Sequence, residues 1–406
     1  MKEPGTPASN AVTVNPATVH QHISGFGAST AWLGTTMSSS DADLAFSTTT
    51  GAGLSLDRVR INYQGNGTSA PETATALLAQ ARGAKVWATP WTPPTADKSN
   101  DSDVEGTLTN PSAYATYLVD YVAAMSTAGV NLYAVSAQNE PDANVTYESC
   151  VYTPSTMATF VGGTLGPAFA GSTVKIIAPE TQNFCSSGFP AFASALQNSA
   201  SAWSAVSIIA THEYGCTPAL SFPAAAAAGK EYWETEVYDT VDTAEDTTML
   251  TGLWVAATMY DALANANMNA WHYWWFYPSG SGDNQGLWDY ATKTPTKRLW
   301  VMGNFSRFVR PGFDRVDVSG TLPSGVSVIA FQNPSDATIA IVAINKNTSQ
   351  TTIPLFVAGT QWPAQVVPWV TSPSDDLVAQ AAITVDGANF SATLAAQSVT
   401  TFVGSP

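Results

Sequence analysis

The chain has 406 residues, of which 45% are hydrophobic and only 11% charged, and its formal net charge is -16. Such a composition supplies a sizeable core and excludes disorder, while the negative field opposes nucleic acid and anionic membrane surfaces, so a neutral partner fits best. No apolar run reaches membrane-spanning length and no hydrophobic signal segment opens the sequence, so secretion is an expectation from composition alone.

In chain order, residues 1–10 read as a polar tail left by processing or cloning. Residues 11–24 then alternate apolar and polar side chains as a strand does. Apolar, β-rich segments recur at 25–29, 54–61, 85–90, 131–140, 175–180, 207–214, 230–238 and 269–277, with helical segments between them. Eight such units predict an α/β fold, a (β/α)8 TIM barrel over 25–309, whose functional side chains gather at the C-terminal ends of the strands. The clearest helix lies between the third and fourth strands. Asn110 is its N-cap, Pro111 its first residue, Tyr114, Leu118, Tyr121, Val122 and Met125 its apolar stripe, and Gly129 its stop. A second helix over 247–264 is expected to bury Leu250, Leu253, Trp254, Ala257 and Tyr260. From 310 to 406 the pattern changes to alternating β-branched segments at 326–332, 339–345, 366–371 and 398–403. With 11–24 these predict a side β-sandwich domain built from both chain ends and tied to the barrel.

Two segments carry the chemistry. The run Ala-Val-Ser-Ala-Gln-Asn-Glu-Pro at 134–141 is an apolar strand that ends in an amide, a carboxylate and a proline. Pro141 is expected to hold Glu140 extended and aim it into the barrel mouth. In the second, Glu234 and Glu236 sit two apart in the strand around Trp233, and a period of two would point both into the barrel. Retaining glycoside hydrolysis needs one carboxyl group to protonate the leaving oxygen and a second, about 5 Å away, to attack the anomeric carbon. Glu140 and Glu236, at strand ends four and seven, suit that pair, with Glu234 as the rival nucleophile.

The thirteen Trp and fourteen Tyr residues exceed what packing usually demands, and sugar rings stack on such side chains. Trp32, Trp91 and Tyr214 fall at strand ends one, three and six, as candidate subsite walls. Trp274 is the candidate floor, and Tyr238 and Tyr277 are further candidates for sugar contact. Asn139 is expected to bond a sugar hydroxyl or the nucleophile, and Arg58 to orient the nucleophile and keep it ionised. Glu234 either pairs with Arg58 or Arg60 or hydrogen-bonds in a neutral form. His212 and Glu213 lack a third ligand at helpful spacing, so His212 is read as a hydrogen-bonding residue near the mouth, with neither metal nor cofactor. Three cysteines allow one disulfide. Cys150 and Cys185, on neighbouring loops, are the expected pair, with Cys185 and Cys216 the alternative.

The chain resembles glycoside hydrolase family 30, in particular its xylanase branch, over about residues 12–403. The matching text is Gly25-Phe26-Gly27, residues 136–142, 177–180, His212 with Tyr214 and Gly215, 233–238, 305–312 and 395–402. The resemblance implies the same barrel with a side sandwich, with the acid/base at Glu140 and the nucleophile at Glu236. Position 234 is usually apolar in that family. It also implies a retaining endo-β-1,4-xylanase acting on xylan or xylooligosaccharides. Relatives in this branch carry a basic pair after the aromatic run of the eighth strand to grip a glucuronate branch, whereas here no Arg or Lys occurs between Trp274 and Lys293. The expectation is therefore a secreted, monomeric xylanase without strict need for glucuronate. The alternatives are a glucuronate-dependent enzyme, a β-1,6-glucanase, an exo-β-xylosidase, or a non-catalytic carbohydrate-binding protein.

Overall fold

The computed structural model describes residues 5–184, 188–215, 218–240, 244–280 and 282–406. The first strand, β1 (Val12–His22), precedes eight parallel strands that close into a barrel: β2 (Gly25–Ser29), β3 (Leu56–Ile61), β4 (Lys85–Pro90), β5 (Leu132–Ser136), β6 (Lys175–Thr181), β7 (Ile208–Thr211), β8 (Glu231–Glu234) and β9 (Ala270–Trp275). Alternation along the strands sorts the side chains into two cores. Leu56, Trp87, Ala134, Ile177, Ile208, Ala210, Trp233 and Ala270 fill the lumen, while neighbours such as Val59, Val86, Ile209 and Tyr232 pack outward under the helices. Parallel strands buried on both faces need such apolar runs.

The helix Pro111–Thr127 forms where its signals predict, with the Asn110 side chain accepting from the Ala113 amide at 3.3 Å. The later helix runs Met249–Tyr260 and buries Leu253 as expected, but its inner face is otherwise a different one. Leu250 is 58% exposed and Trp254, Ala257 and Tyr260 are half-buried, while Gly252, Val255, Ala256 and Met259 are buried. This segment is apolar almost all round, so periodicity does not select a face. Close approach of the helix Lys297–Ser306 decides it: a Cβ on Gly252 would lie 3.2 Å from Val301 and 3.3 Å from Lys297.

The remaining strands are β10 (Asp314–Ser319), β11 (Val326–Gln332), β12 (Ile339–Asn345), β13 (Thr351–Val357), β14 (Gln365–Thr371), β15 (Val378–Ala379), β16 (Ile383–Thr384), β17 (Asn389–Leu394) and β18 (Ser398–Gly404). They form one sheet in the order β15-β14-β18-β12-β11-β10-β1-β13-β17, with β16 on β14, folded into a sandwich over Val12, Val14, Ile341, Leu355 and Phe402. The N-terminal strand β1 sits inside that sheet, antiparallel to β10 and parallel to β13. Asn304 joins the two domains, donating from Nδ2 to the Trp369 carbonyl at 2.9 Å and to Thr401 Oγ1 at 3.1 Å.

Candidate active site

At the C-terminal ends of the barrel strands lies a cavity of about 820 Å³, lined by Trp32, Trp91, Glu140, Tyr147, Tyr214, Glu236, Tyr238, Trp274 and Trp275, together with Gln182, Asn183, Gly215, Thr240, Ser279 and Gln285. Glu140 and Glu236 both reach this cavity. One oxygen of each, together with a ring nitrogen of His212, falls within a mutual 4.8 Å.

The backbone that carries Glu140 is pinned from both sides. Strand β5 stops at Ser136; the Asn139 amide then donates to the Pro90 carbonyl at 2.8 Å, and the Glu140 amide to the Glu180 carbonyl at 2.9 Å. Glu140 itself adopts φ of 45°, the left-handed region, and not the extended backbone expected before a proline. Those two inter-strand bonds outweigh the local preference, and such conformations collect at functional sites held by their surroundings. On the side chain, Oε2 accepts from the Tyr147 hydroxyl at 2.6 Å and Oε1 lies 3.1 Å from His212 Nδ1.

Glu236 is held by Arg58, whose Nη1 donates to Oε2, and by the Tyr214 hydroxyl, 2.9 Å from Oε1. The Arg58 guanidinium is wholly buried. Its Nη2 donates to Asn139 Oδ1 at 2.6 Å and to Glu180 Oε1 at 2.8 Å, and its central carbon lies 4.6 Å from the centre of the Trp91 ring. Burial pushes the Glu236 carboxyl up, and the His212 and Arg58 cations pull it back toward ionisation. Burial alone would lower the His212 pKa, but Glu236, Glu140 and Glu180 outweigh it and push it to about 10. Glu140, His212 and Glu236 have the spacing of a metal site. Yet a protonated imidazole has no free lone pair, and Arg58 already occupies Glu236, so an incoming cation would meet two positive charges.

Aromatic side chains build the walls. Trp32 packs edge-on to Trp91 at 4.5 Å between centroids and Trp274 stacks on Trp275 at 4.8 Å. Two consecutive tryptophans both reach the cavity because the β2/β9 register slips between Ala28/Tyr273 and Ser29/Trp275, which turns the strand.

Several expectations change at this level. Tyr277 does not line the cavity; its hydroxyl donates to Asp41 Oδ2 at 2.7 Å and its ring packs on Trp288, because β9 has already ended at Trp275. Asn139 lies behind the wall and bonds Arg58, which stands between it and Glu236. Glu234 is not salt-bridged to Arg58, which is engaged by Glu180 and Glu236, nor to Arg60, which pairs with Glu148. Nor does it share a face with Glu236. Between Trp233 opposite Ala270 and Val237 opposite Tyr273, the chain running on from β8 advances four residues against three on β9, a one-residue bulge that reverses the alternation. Cys150 is a buried free thiol, pushed up to about 12 by burial; Cys185 and Cys216, and with them the expected bridge and its alternative, lie outside the described residues.

Sequence reasoning passed over Tyr147, Gln182, Trp275, Gln285 and Glu180. Glu180 has the signature that singled out Glu140, an acid closing an apolar strand, and it bonds Arg58 and, at 2.7 Å, the Thr89 hydroxyl. Tyr147 carries no such signal, since it sits in a loop whose path only the fold defines.

The sequence profile of the glycosyl hydrolase family 30 TIM-barrel domain matches residues 54–275, and that of the family's β-sandwich domain matches residues 314–402. The chain is 33% identical over 410 residues to the glucuronoxylanase XynC of Bacillus subtilis strain 168, covering 98% of this chain and 92% of that protein. Among solved structures, the subfamily 8 xylanase Xyn30A from Clostridium acetobutylicum has a TM-score of 0.88 at 36% identity, covering 98% of this chain and 100% of that one. A family 30 endoxylanase from Clostridium papyrosolvens has a TM-score of 0.84 at 32% identity over the same shares.

Proposed function

The chain belongs to glycoside hydrolase family 30, and from that premise we propose that it is a secreted, monomeric, retaining endo-β-1,4-xylanase with Glu140 as acid/base and Glu236 as nucleophile. The observation that carries the mechanism is the separation of the two carboxyl groups, whose oxygens approach within 4.8 Å. Inverting enzymes need about 6.5 to 9.5 Å to seat a water between the carboxyl groups, and retaining enzymes about 5 to 5.5 Å. In the first step Glu236 attacks the anomeric carbon while Glu140 gives its proton to the departing glycosidic oxygen. In the second Glu140 takes a proton from water, the hydroxide displaces Glu236, and both carboxyl groups return to their starting forms.

Xylan as substrate is supported by the likeness to xylanases over nearly the whole chain and by the aromatic walls, which suit uncharged sugar faces. For the branch preference, the cavity wall contains no Arg or Lys among the described residues, and Gln285 on that wall donates to Asp283 Oδ2 at 2.5 Å. Among the described residues of that wall, a glucuronate would find no cation to pair with. A bidentate arginine contact contributes on the order of 1.5 to 3 kcal/mol, so its absence should hold the ratio of kcat/KM on glucuronoxylan and on unbranched or arabinose-substituted xylan below about tenfold. Chromatography of products and proton NMR of the first-formed anomer test both parts. A strong glucuronoxylan preference that vanishes when the carboxylates are reduced would overturn the specificity, and an initial α-anomer would overturn retention.

A further inference from the structure

Glu236 reaches the cavity only because of the one-residue bulge where the chain leaves β8. Trp233 and Ala270 face the lumen, whereas Val237 and Tyr273 pack in the outer core. Continued alternation from Trp233 would turn residue 236 outward. A bulge leaves amides without ladder carbonyls, and buried amides need acceptors. Here one side chain serves two of them. Glu234 Oε1 accepts from the Glu236 amide at 2.7 Å, and Oε2 from the His272 amide of β9 at 2.7 Å. The His272 ring closes the arrangement, with Nδ1 2.8 Å from the Glu234 carbonyl and Nε2 accepting from Trp87 Nε1 at 3.0 Å. Burial lowers the His272 pKa to about 3, so the ring is neutral and Nδ1 donates. Glu234 has no exposed surface, and amides rather than a cation are its partners in this arrangement.

We propose that Glu234 is a positioning residue: its two carboxyl oxygens replace the ladder carbonyls missing at the bulge and fix the backbone of Glu236 at the angle from which it attacks. The inference rests on Glu236 being the nucleophile. Misplacing a reacting group by about 1 Å can cost on the order of a hundredfold in rate. Glu234→Gln keeps the volume but one acceptor oxygen, and Glu234→Met keeps the volume and none.

The test uses an activated 2-deoxy-2-fluoro-β-xylobioside, which labels the nucleophile, with kcat and KM on a xylooligosaccharide and thermal midpoints measured in parallel. The labelling rate and kcat are expected to fall about tenfold in the Gln variant and about a hundredfold in the Met variant, with KM within about twofold and the label on Glu236 throughout. Label on Glu236 with a Gln-variant rate within about twofold of the parent, or a loss of thermal midpoint alone, overturns the clamp and leaves the nucleophile standing. Label on Glu234 overturns both. If the Met variant does not fold, the Gln variant decides by itself.

Discussion

Arg58 is a fully buried cation whose guanidinium reaches Glu236, Glu180 and Asn139 from two terminal nitrogens while lying against Trp91. Burial works against its charge, and Glu180 and Glu236 outweigh that, raising its pKa further. A lysine carries its three donors on a single nitrogen without the fork, so Arg58→Lys cannot span acceptors that two terminal nitrogens now reach. The loss of one or two charge-assisted bonds, about 2 to 3 kcal/mol, should lower kcat by about thirtyfold to a hundredfold in steady-state assays with little change in KM. For the carboxyl pair, Glu140→Gln and Glu236→Gln should each remove hydrolysis by at least about a thousandfold, since each deletes half of a double displacement. With an activated aryl glycoside, azide should restore turnover to Glu236→Ala and give the product of inverted configuration. Rescue confined to a Glu234 variant would reassign the nucleophile.

At the scale of elements, the helix Met249–Tyr260 shows how neighbours choose a face when a sequence does not. Its buried side carries Gly252, Val255, Ala256 and Met259, with Gly252 against the helix Lys297–Ser306, and Leu250 points to solvent. Leu250→Ser should therefore change unfolding free energy by less than about 0.5 kcal/mol, whereas Met259→Ala should cost about 2 to 4 kcal/mol in denaturant titrations. The opposite ranking would restore the face expected from periodicity. The end of strand β8 makes the same point more sharply, because a single inserted residue brings Glu236 to the working face while Glu234, next to lumen-facing Trp233, stays off it.

Over the whole molecule, the buried ionisable groups set how stability follows pH. His212 is raised to about 10, Glu234 to about 8, and Asp57 and Glu72 to about 7. A raised folded-state pKa means that the native state binds more protons than the unfolded chain between the ordinary and the shifted value, so stability falls as pH rises through that interval. For His212 the interval runs from 6.5 to about 10 and for Glu234 from 4.5 to about 8, so both lose stability between pH 6.5 and 8. His272, lowered to about 3, is neutral in the folded state throughout that range and mostly neutral in the unfolded chain, so it does little to oppose them. Each group contributes at most about 2 kcal/mol across that range, and calorimetry should show the midpoint falling by several degrees from pH 6.5 to 8. A flat or rising midpoint would contradict the burial of these groups in their present states.

Eight apolar segments, a capped helix and a change to alternating strands after residue 310 were enough to read the barrel and its side sandwich, because strand and helix periods are local properties of the chain. Glu140 and Glu236 were legible for a related reason: an acid that ends or interrupts a buried strand is too costly to be incidental. What tertiary structure alone decided depends on groups far apart in sequence. Inter-strand bonds to Pro90 and Glu180 override the backbone preference at Glu140, and a loop path brings Tyr147 to its carboxyl. A register slip against β9, which belongs to no single segment, sends Glu234 and Glu236 to different faces. Periodicity fixes direction only while a strand stays regular, and at this site the regularity ends where the chemistry begins.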